Sequence, residues 1–202
     1  ACCELTQLED SVVASLGGVT LAIDPAGRVG WVRKHVTVPT EEDPRWVLQR
    51  HDRPLVAGGR MYVIQPGVRT VDCLDPATGR EHWSIVLPEV VGLVGPSGDR
   101  LIVRTERDLR ALDRDSGDTL WRYGAPELHS FQLADEASVL LAARERNPAN
   151  KDQWLTRLVW LDAPSGEPKA TSILPGLTDG DPRMFADICL TNRENILHWI
   201  ER

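Results

Sequence analysis

Phenylalanine and tyrosine are scarce in this chain, two of each, yet tryptophan, ordinarily the rarest aromatic, occurs seven times. Cysteine is thin as well. Four in 202 residues are too few for a disulfide framework, and Cys2, Cys3, Cys73 and Cys189 do not have the spacing of zinc ligands. There is no basic excess. A formal net charge of −7 argues against a groove for phosphates, so nucleic acid is not an expected partner. No apolar run approaches the ~20 residues that span a bilayer, and the stretch opening Ala1-Cys2-Cys3 does not read as a basic-then-apolar leader. A Gly-x-Ser-x-Gly elbow and a phosphate loop are both missing. His35, His51, His82, His129 and His198 have no second histidine three or four residues away, which excludes a helical metal pair.

What the chain does have is a repeat, and the surplus tryptophan belongs to it. Ala22-Ile23-Asp24-Pro25-Ala26-Gly27 leads to Trp31. Cys73-Leu74-Asp75-Pro76-Ala77-Thr78-Gly79 leads to Trp83, and Ala111-Leu112-Asp113-Arg114-Asp115-Ser116-Gly117 leads to Trp121. In a fourth copy, Trp160-Leu161-Asp162-Ala163-Pro164-Ser165-Gly166, the tryptophan position is taken by Ala170. The frame is apolar-Asp-x-x-(Thr/Ser)-Gly-x-x-x-Trp, with one turn residue fewer in the first copy. Each residue type has a physical reason. The aspartate accepts hydrogen bonds from backbone N–H groups of its own turn. Glycine supplies a positive φ in a tight hairpin. Tryptophan, a large plane with one donor, suits a slot between neighbouring sheets.

Asp24, Asp75, Asp113 and Asp162 are spaced 51, 38 and 49 residues apart. The shortest step is close to the ~40-residue blade of a propeller. The longer steps call for insertions, and two polar, proline-containing stretches, 39–52 and 145–153, are the candidates. Short alternating stretches such as Arg60-Met61-Tyr62-Val63-Ile64 and Arg100-Leu101-Ile102-Val103-Arg104 precede the turns, and glycine or acidic pairs punctuate them. Four short strands per ~40 residues is the pattern of a blade. The expected fold class is therefore all-β, a partial β-propeller of four-stranded antiparallel blades, with about three whole blades and two partial ones. Residues 1–202 form a single incomplete propeller domain in this reading. The later strands of one blade fall at 11–38, whole blades at 53–88, 90–124 and 128–175, and a partial or irregular fifth at 182–202.

The copies ending at Trp83 and Trp121 resemble the tryptophan-docking repeat of the PQQ-like, quinoprotein-type propellers, and the resemblance extends over residues 11–175. It implies that the tryptophans dock between blades of a ring of commonly eight. It also implies that the remaining blades of a larger propeller, or a protein partner, complete this chain. The family includes quinone-dependent alcohol and sugar dehydrogenases and non-catalytic scaffolds, among them a lipoprotein that helps to assemble outer-membrane proteins. Its members work mostly outside the cytoplasm, so the resemblance implies a bacterial periplasmic or other extracytoplasmic setting.

The chemical candidates are weak beside the structural ones. Adjacent cysteines such as Cys2-Cys3 occur against the cofactor in quinoprotein dehydrogenases, but Glu4-Leu5-Thr6-Gln7 does not match that family's surroundings. Asp113-Arg114-Asp115-Ser116-Gly117-Asp118 loosely resembles a calcium loop, yet its glycine is fifth rather than sixth and it coincides with the repeat turn. Asp179-Gly180-Asp181-Pro182 reads as a plain loop. No catalytic, cofactor-binding or metal residue is assigned. The assigned residues are structural: Asp24, Gly27, Trp31, Asp75, Gly79, Trp83, Asp113, Gly117, Trp121, Asp162 and Gly166. The functional expectation is a non-catalytic protein-binding or assembly scaffold, with no cofactor. The alternatives are a fragment of a dehydrogenase requiring PQQ and calcium, and a propeller binding a small ligand or carbohydrate.

Overall fold

A computed structural model describes residues 3–16, 19–34, 53–65, 70–87, 89–124, 128–135 and 137–174. These form four four-stranded antiparallel sheets and no helix. The first sheet is β1 (Cys3–Gln7), β2 (Val12–Leu16), β3 (Val19–Ile23) and β4 (Val29–Lys34). The second is β5 (Leu55–Ala57), β6 (Arg60–Gln65), β7 (Thr70–Leu74) and β8 (Glu81–Val86). The third is β9 (Val90–Ser97), β10 (Arg100–Thr105), β11 (Asp108–Asp113) and β12 (Thr119–Gly124). The fourth is β13 (Leu128–Asp135), β14 (Ser138–Asn147), β15 (Asn150–Asp162) and β16 (Pro168–Leu174). Within every sheet the strands lie in chain order, as in a β-meander, where each hairpin joins neighbours.

Two features differ from the sequence expectation. The stretch 11–38 gains a further strand, β1, which pairs along its whole length with β2 from Cys3↔Leu16 to Gln7↔Val12. Five residues holding one strongly apolar side chain carry too little alternation to be read as a strand. The polar stretch 145–153, expected as a loop-like insertion, is instead a ribbon. β14 and β15 stay in register through Arg144↔Thr156, Glu145↔Leu155 and Arg146↔Trp154, and the register shifts before the last pair, Asn147↔Asn150. β13 pairs with β14 only as far as Ala143, and β16 pairs with β15 only from Thr156 onward. The polar residues thus decorate two strands that run past their neighbours and turn at Pro148-Ala149. The other expected insertion, 39–52, the stretch 182–202 and Cys2 lie outside the described residues.

The chain divides into two compact units, one comprising Ala1–Leu93, Val103–Glu106 and Leu112–Asp118, the other Val94–Ile102, Arg107–Ala111 and Thr119–Arg202. In the first unit, Val13 and Ala22 of the first sheet pack with Met61, Val63 and Leu74 of the second, and Trp31 joins them. β7 is buried at all five positions, the signature of a strand covered on both faces. In the second unit, Ile102, Leu109 and Ala111 pack with Val139, Leu141, Val159 and Leu161, with Trp121 and Tyr123 against them. Fourth strands alternate. Trp83 is buried, while His82 and Ser84 on either side are exposed, as the two-residue period of a strand requires.

Candidate functional site

The repeat turns are built the same way. Asp75 Oδ1 accepts from the backbone N–H groups of Ala77 (3.0 Å) and Thr78 (2.8 Å) and from Thr78 Oγ1 (2.9 Å). Asp113 Oδ1 accepts from Asp115 N and Ser116 N, both at 2.8 Å, and from Ser116 Oγ at 3.2 Å. Asp162 Oδ2 accepts from Ser165 N (3.1 Å) and Oγ (2.7 Å), while its Oδ1 meets Lys169 Nζ at 2.8 Å. The hydrogen bond from Lys169, then that from Ser165, holds the Asp162 carboxyl down at about 2. A hydrogen bond from Thr78 likewise lowers the Asp75 carboxyl, and the backbone N–H of Ser116 lowers that of Asp113. The shorter first turn uses Arg28: its backbone N–H and Nε both donate to Asp24 at 2.8 Å, and the backbone bond leads in lowering the Asp24 carboxyl.

Three of the four turn glycines have two reasons to be glycine. Gly79, Gly117 and Gly166 have φ of 68°, 81° and 75°, a region costly for residues with a Cβ. Each also lies under a tryptophan ring from the preceding sheet. A Cβ on Gly79 would fall 2.5 Å from Trp31, one on Gly117 3.0 Å from Trp83, and one on Gly166 2.6 Å from Trp121. The indole N–H groups follow a single rule. Trp31 Nε1 donates to the Pro76 carbonyl (3.0 Å), Trp83 Nε1 to that of Arg114 (3.0 Å), and Trp121 Nε1 to that of Ala163 (2.9 Å). The acceptor is each time the residue just after the next copy's aspartate. In the fourth sheet Ala170 pairs with Trp160, whereas the earlier pairs are Ala22↔Trp31 and Cys73↔Trp83. Small and large residues have exchanged strands.

Sequence reasoning missed two polar clusters in the first unit. Arg114, in the turn of the third copy, donates from Nε to Tyr62 Oη (2.9 Å) and from Nη2 to the Ala57 carbonyl (2.7 Å). The Arg114 carbonyl accepts from Arg60 as well as from Trp83. The only trace in the sequence is that Arg114 occupies a place held by Pro25, Pro76 and Ala163 in the other copies. The second cluster joins Arg33 of β4 to Glu81 of β8 and to buried Asp72 of β7, whose Oδ2 lies 3.9 Å from Arg33 Nε. Ser84 Oγ donates to Asp72 Oδ1 at 2.6 Å. Burial pushes the Asp72 carboxyl up, against the pull of Ser84 and Arg33. Asp72 sits mid-strand without a turn residue near it, so no motif marks it.

Among the described residues these groups pair with one another. Cys73 is buried beside Arg60 and Tyr62, and burial outweighs their pull and pushes its thiol up, the opposite of an activated nucleophile. Among the described residues no group of three or more His, Cys, Asp or Glu side chains is arranged to hold a metal ion. The calcium-like stretch 113–118 directs Asp113 Oδ1 at its own turn, and Asp118 Oδ2 accepts from Ser116 Oγ.

Consecutive four-stranded antiparallel sheets, each opening its last hairpin with an aspartate–glycine turn, are the blades of a β-propeller. Over residues 16–169 the chain matches the family model described as outer membrane protein assembly factor BamB, and it belongs to that PQQ-like propeller family. The structure of BamB from Moraxella catarrhalis is similar at a TM-score of 0.62 and 20% identity, over 84% of this chain and 47% of that one. The Pan2 WD40 domain of Neurospora crassa gives a TM-score of 0.55 at 8% identity, over 83% and 50% of the two chains. The β-propeller domain of Cps50 (Swd1) from Myceliophteria thermophila gives 0.53 at 13%, over 87% and 55%. The chain thus spans about half the length of these propellers. No curated protein matches it significantly in sequence.

Proposed function

We propose that this chain is a non-catalytic segment of an extracytoplasmic, bacterial β-propeller that serves as a protein-binding or assembly scaffold. Residues 1–202 act in this reading as one incomplete propeller domain, completed by further blades. The observation that carries it is the match over residues 16–169 to a family described as an outer membrane protein assembly factor. The site geometry supports it. The turn carboxylates are bonded within their own turns, and three tryptophans are bonded between sheets. Trp31, Trp83 and Trp121 act here as docking residues that fasten each blade to the next. Among the described residues no helix is long and apolar enough to cross a membrane.

The contact element is the β14–β15 ribbon. Arg146, Pro148, Ala149 and Asn150 at its tip are exposed, and a paired hairpin presents them at little entropic cost on binding. The stretch 39–52, with Glu41, Glu42 and Asp43, is the second contact element. The test is site-specific photo-crosslinking from Ala149 and from Glu42, with a purified, urea-unfolded outer-membrane β-barrel protein as probe and Arg107 as control position. Capture at Ala149 well above Arg107 is expected; equal labelling at all three positions rejects the contact assignment. Titration with PQQ and calcium is expected to give neither an absorbance change nor heat. A saturable signal would move the chain to the dehydrogenase reading.

A further inference from the structure

The tryptophan joint is built alike at all three seams between sheets. Each indole N–H donates to the residue just after an aspartate, and each ring covers a turn glycine. A joint of one design holds blades together without telling one blade from another. At two seams nothing has to be told apart. Only three residues, 87–89 and 125–127, join the second sheet to the third and the third to the fourth, and so short a link reaches only the neighbouring sheet. The first seam is different. Twenty residues, 35–54, separate β4 from β5, a length that can span roughly 65 Å at full extension. Connectivity alone therefore does not assign the first sheet to the second.

It is at this seam that an ion pair takes the place of apolar packing. Two residues past the tryptophan position stand Arg33, Ile85, Tyr123 and Ser172, and three before the turn aspartate stand Leu21, Asp72, Arg110 and Val159. In the second unit Tyr123 packs in the cluster that contains Val159. In the first unit Arg33 meets Asp72 instead. Asp72 is 3% exposed, and Arg33 Nε, 3.9 Å from its Oδ2, is buried without a hydrogen bond. Arg33 Nη2 pairs with Glu81, and Ser84 Oγ donates to Asp72. Burial pushes the Asp72 carboxyl up, against the pull of Ser84, Arg33 and Thr70. A buried ion pair of loose geometry adds little stability over two apolar side chains, whereas either member left alone is strongly destabilising.

That asymmetry discriminates between partners. Isoleucine, tyrosine or serine set against Asp72 would leave a buried carboxylate without its cation. Arg33 set against a leucine or valine would half-bury a cation without its anion, and against an arginine it would meet a like charge. We propose that Arg33 and Asp72 are a key and lock that admit the first blade, and no other last strand of this chain, onto the second sheet. Blade order across the 35–54 link is then set by this pair, while the tryptophan joint common to all copies supplies the holding force.

The test exchanges one seam for another in the full 202-residue chain. Three variants are made: Arg33→Tyr, Asp72→Val, and the two together, which copies the Tyr123–Val159 pair. The readout is hydrogen exchange of the Trp31 indole N–H, which reports its seating on the Pro76 carbonyl and is assigned by its disappearance in Trp31→Phe. Each single substitution is expected to speed that exchange at least ~10-fold, because it leaves one charge without its partner. The double variant is expected to return within ~3-fold of the starting chain, the non-additivity of a contacting pair. Single variants that do not fold beside a double that does would support the proposal equally. A double variant that exchanges as fast as the singles, or does not fold, overturns it, because the pair would then be an ordinary stabilising contact. Single variants that leave exchange unchanged also overturn it, because the face would then accept either partner.

Discussion

Trp83 is the position where removal of a single side chain tests the blade junction most directly. The residue is 8% exposed, its ring covers Gly117, and its N–H reaches the Arg114 carbonyl at 3.0 Å. A buried tryptophan hides about 150–250 Å², worth roughly 5 kcal/mol at ~25 cal/mol per Å². Residual burial in the unfolded chain removes 10–40% of that by general estimate, roughly 1 kcal/mol. The lost indole hydrogen bond adds back about 1 kcal/mol, so Trp83→Ala is expected to cost about 3–5 kcal/mol, in the range of large aromatic deletions. Trp83→Phe keeps most of the plane and loses the donor, but the Arg114 carbonyl still accepts from Arg60, so about 1–2 kcal/mol is expected. Urea unfolding followed by far-ultraviolet circular dichroism gives both values, with the m-value checking that the unfolded state is unchanged. An alanine cost below ~1 kcal/mol, or a phenylalanine cost equal to it, would show that the ring is not seated between blades.

Gly79→Ala should cost at least ~1 kcal/mol more than Gly98→Ala, because both have positive φ but only Gly79 abuts a ring, Trp31 at 2.5 Å; equal midpoints in urea would contradict the close approach. Arg114→Lys should lose about 2 kcal/mol, since one ammonium does not span Tyr62 Oη and the Ala57 carbonyl together; a silent substitution would rule out the clasp. Asp162 contributes stability that is complete above its ordinary value near 3.8 and is lost as pH falls through its folded value of about 2. Acid titration of the unfolding midpoint should therefore be flatter between pH 4 and 2 in Asp162→Asn, and an unchanged slope would mean that Lys169 and Ser165 do not hold the carboxylate.

The blades were legible because their signals are local. Asp75, Thr78, Gly79 and Trp83 fall within nine residues, and each has a conformational or bonding reason that a single copy displays. The partners of those residues were not legible. Nothing near Gly79 announces Trp31, and nothing near Trp83 announces the Arg114 carbonyl, since contacts between sheets join residues tens of positions apart. β1 was missed because only Leu5 marks its pattern, and the ribbon at 145–153 because a run of polar residues looks like a loop when only composition is weighed. Asp72 was invisible for a third reason: a buried carboxylate is tolerated by its neighbours Ser84 and Arg33, and neither neighbour is adjacent to it in sequence.

Because each tryptophan reports to the turn of the next copy, the unit that recurs in the sequence is not the unit that coheres in space. A contact begins in one copy and ends in the following one, so the number of residues between them is free to change while the junction stays the same. This accounts for copies spaced 38 residues apart beside others at 49 and 51, and for a thirteen-residue β15 within a fold whose other strands run from three to ten residues. Growth in the β14–β15 hairpin leaves the seams untouched, which makes the length of a blade the cheapest property for this architecture to vary and the seam the most expensive.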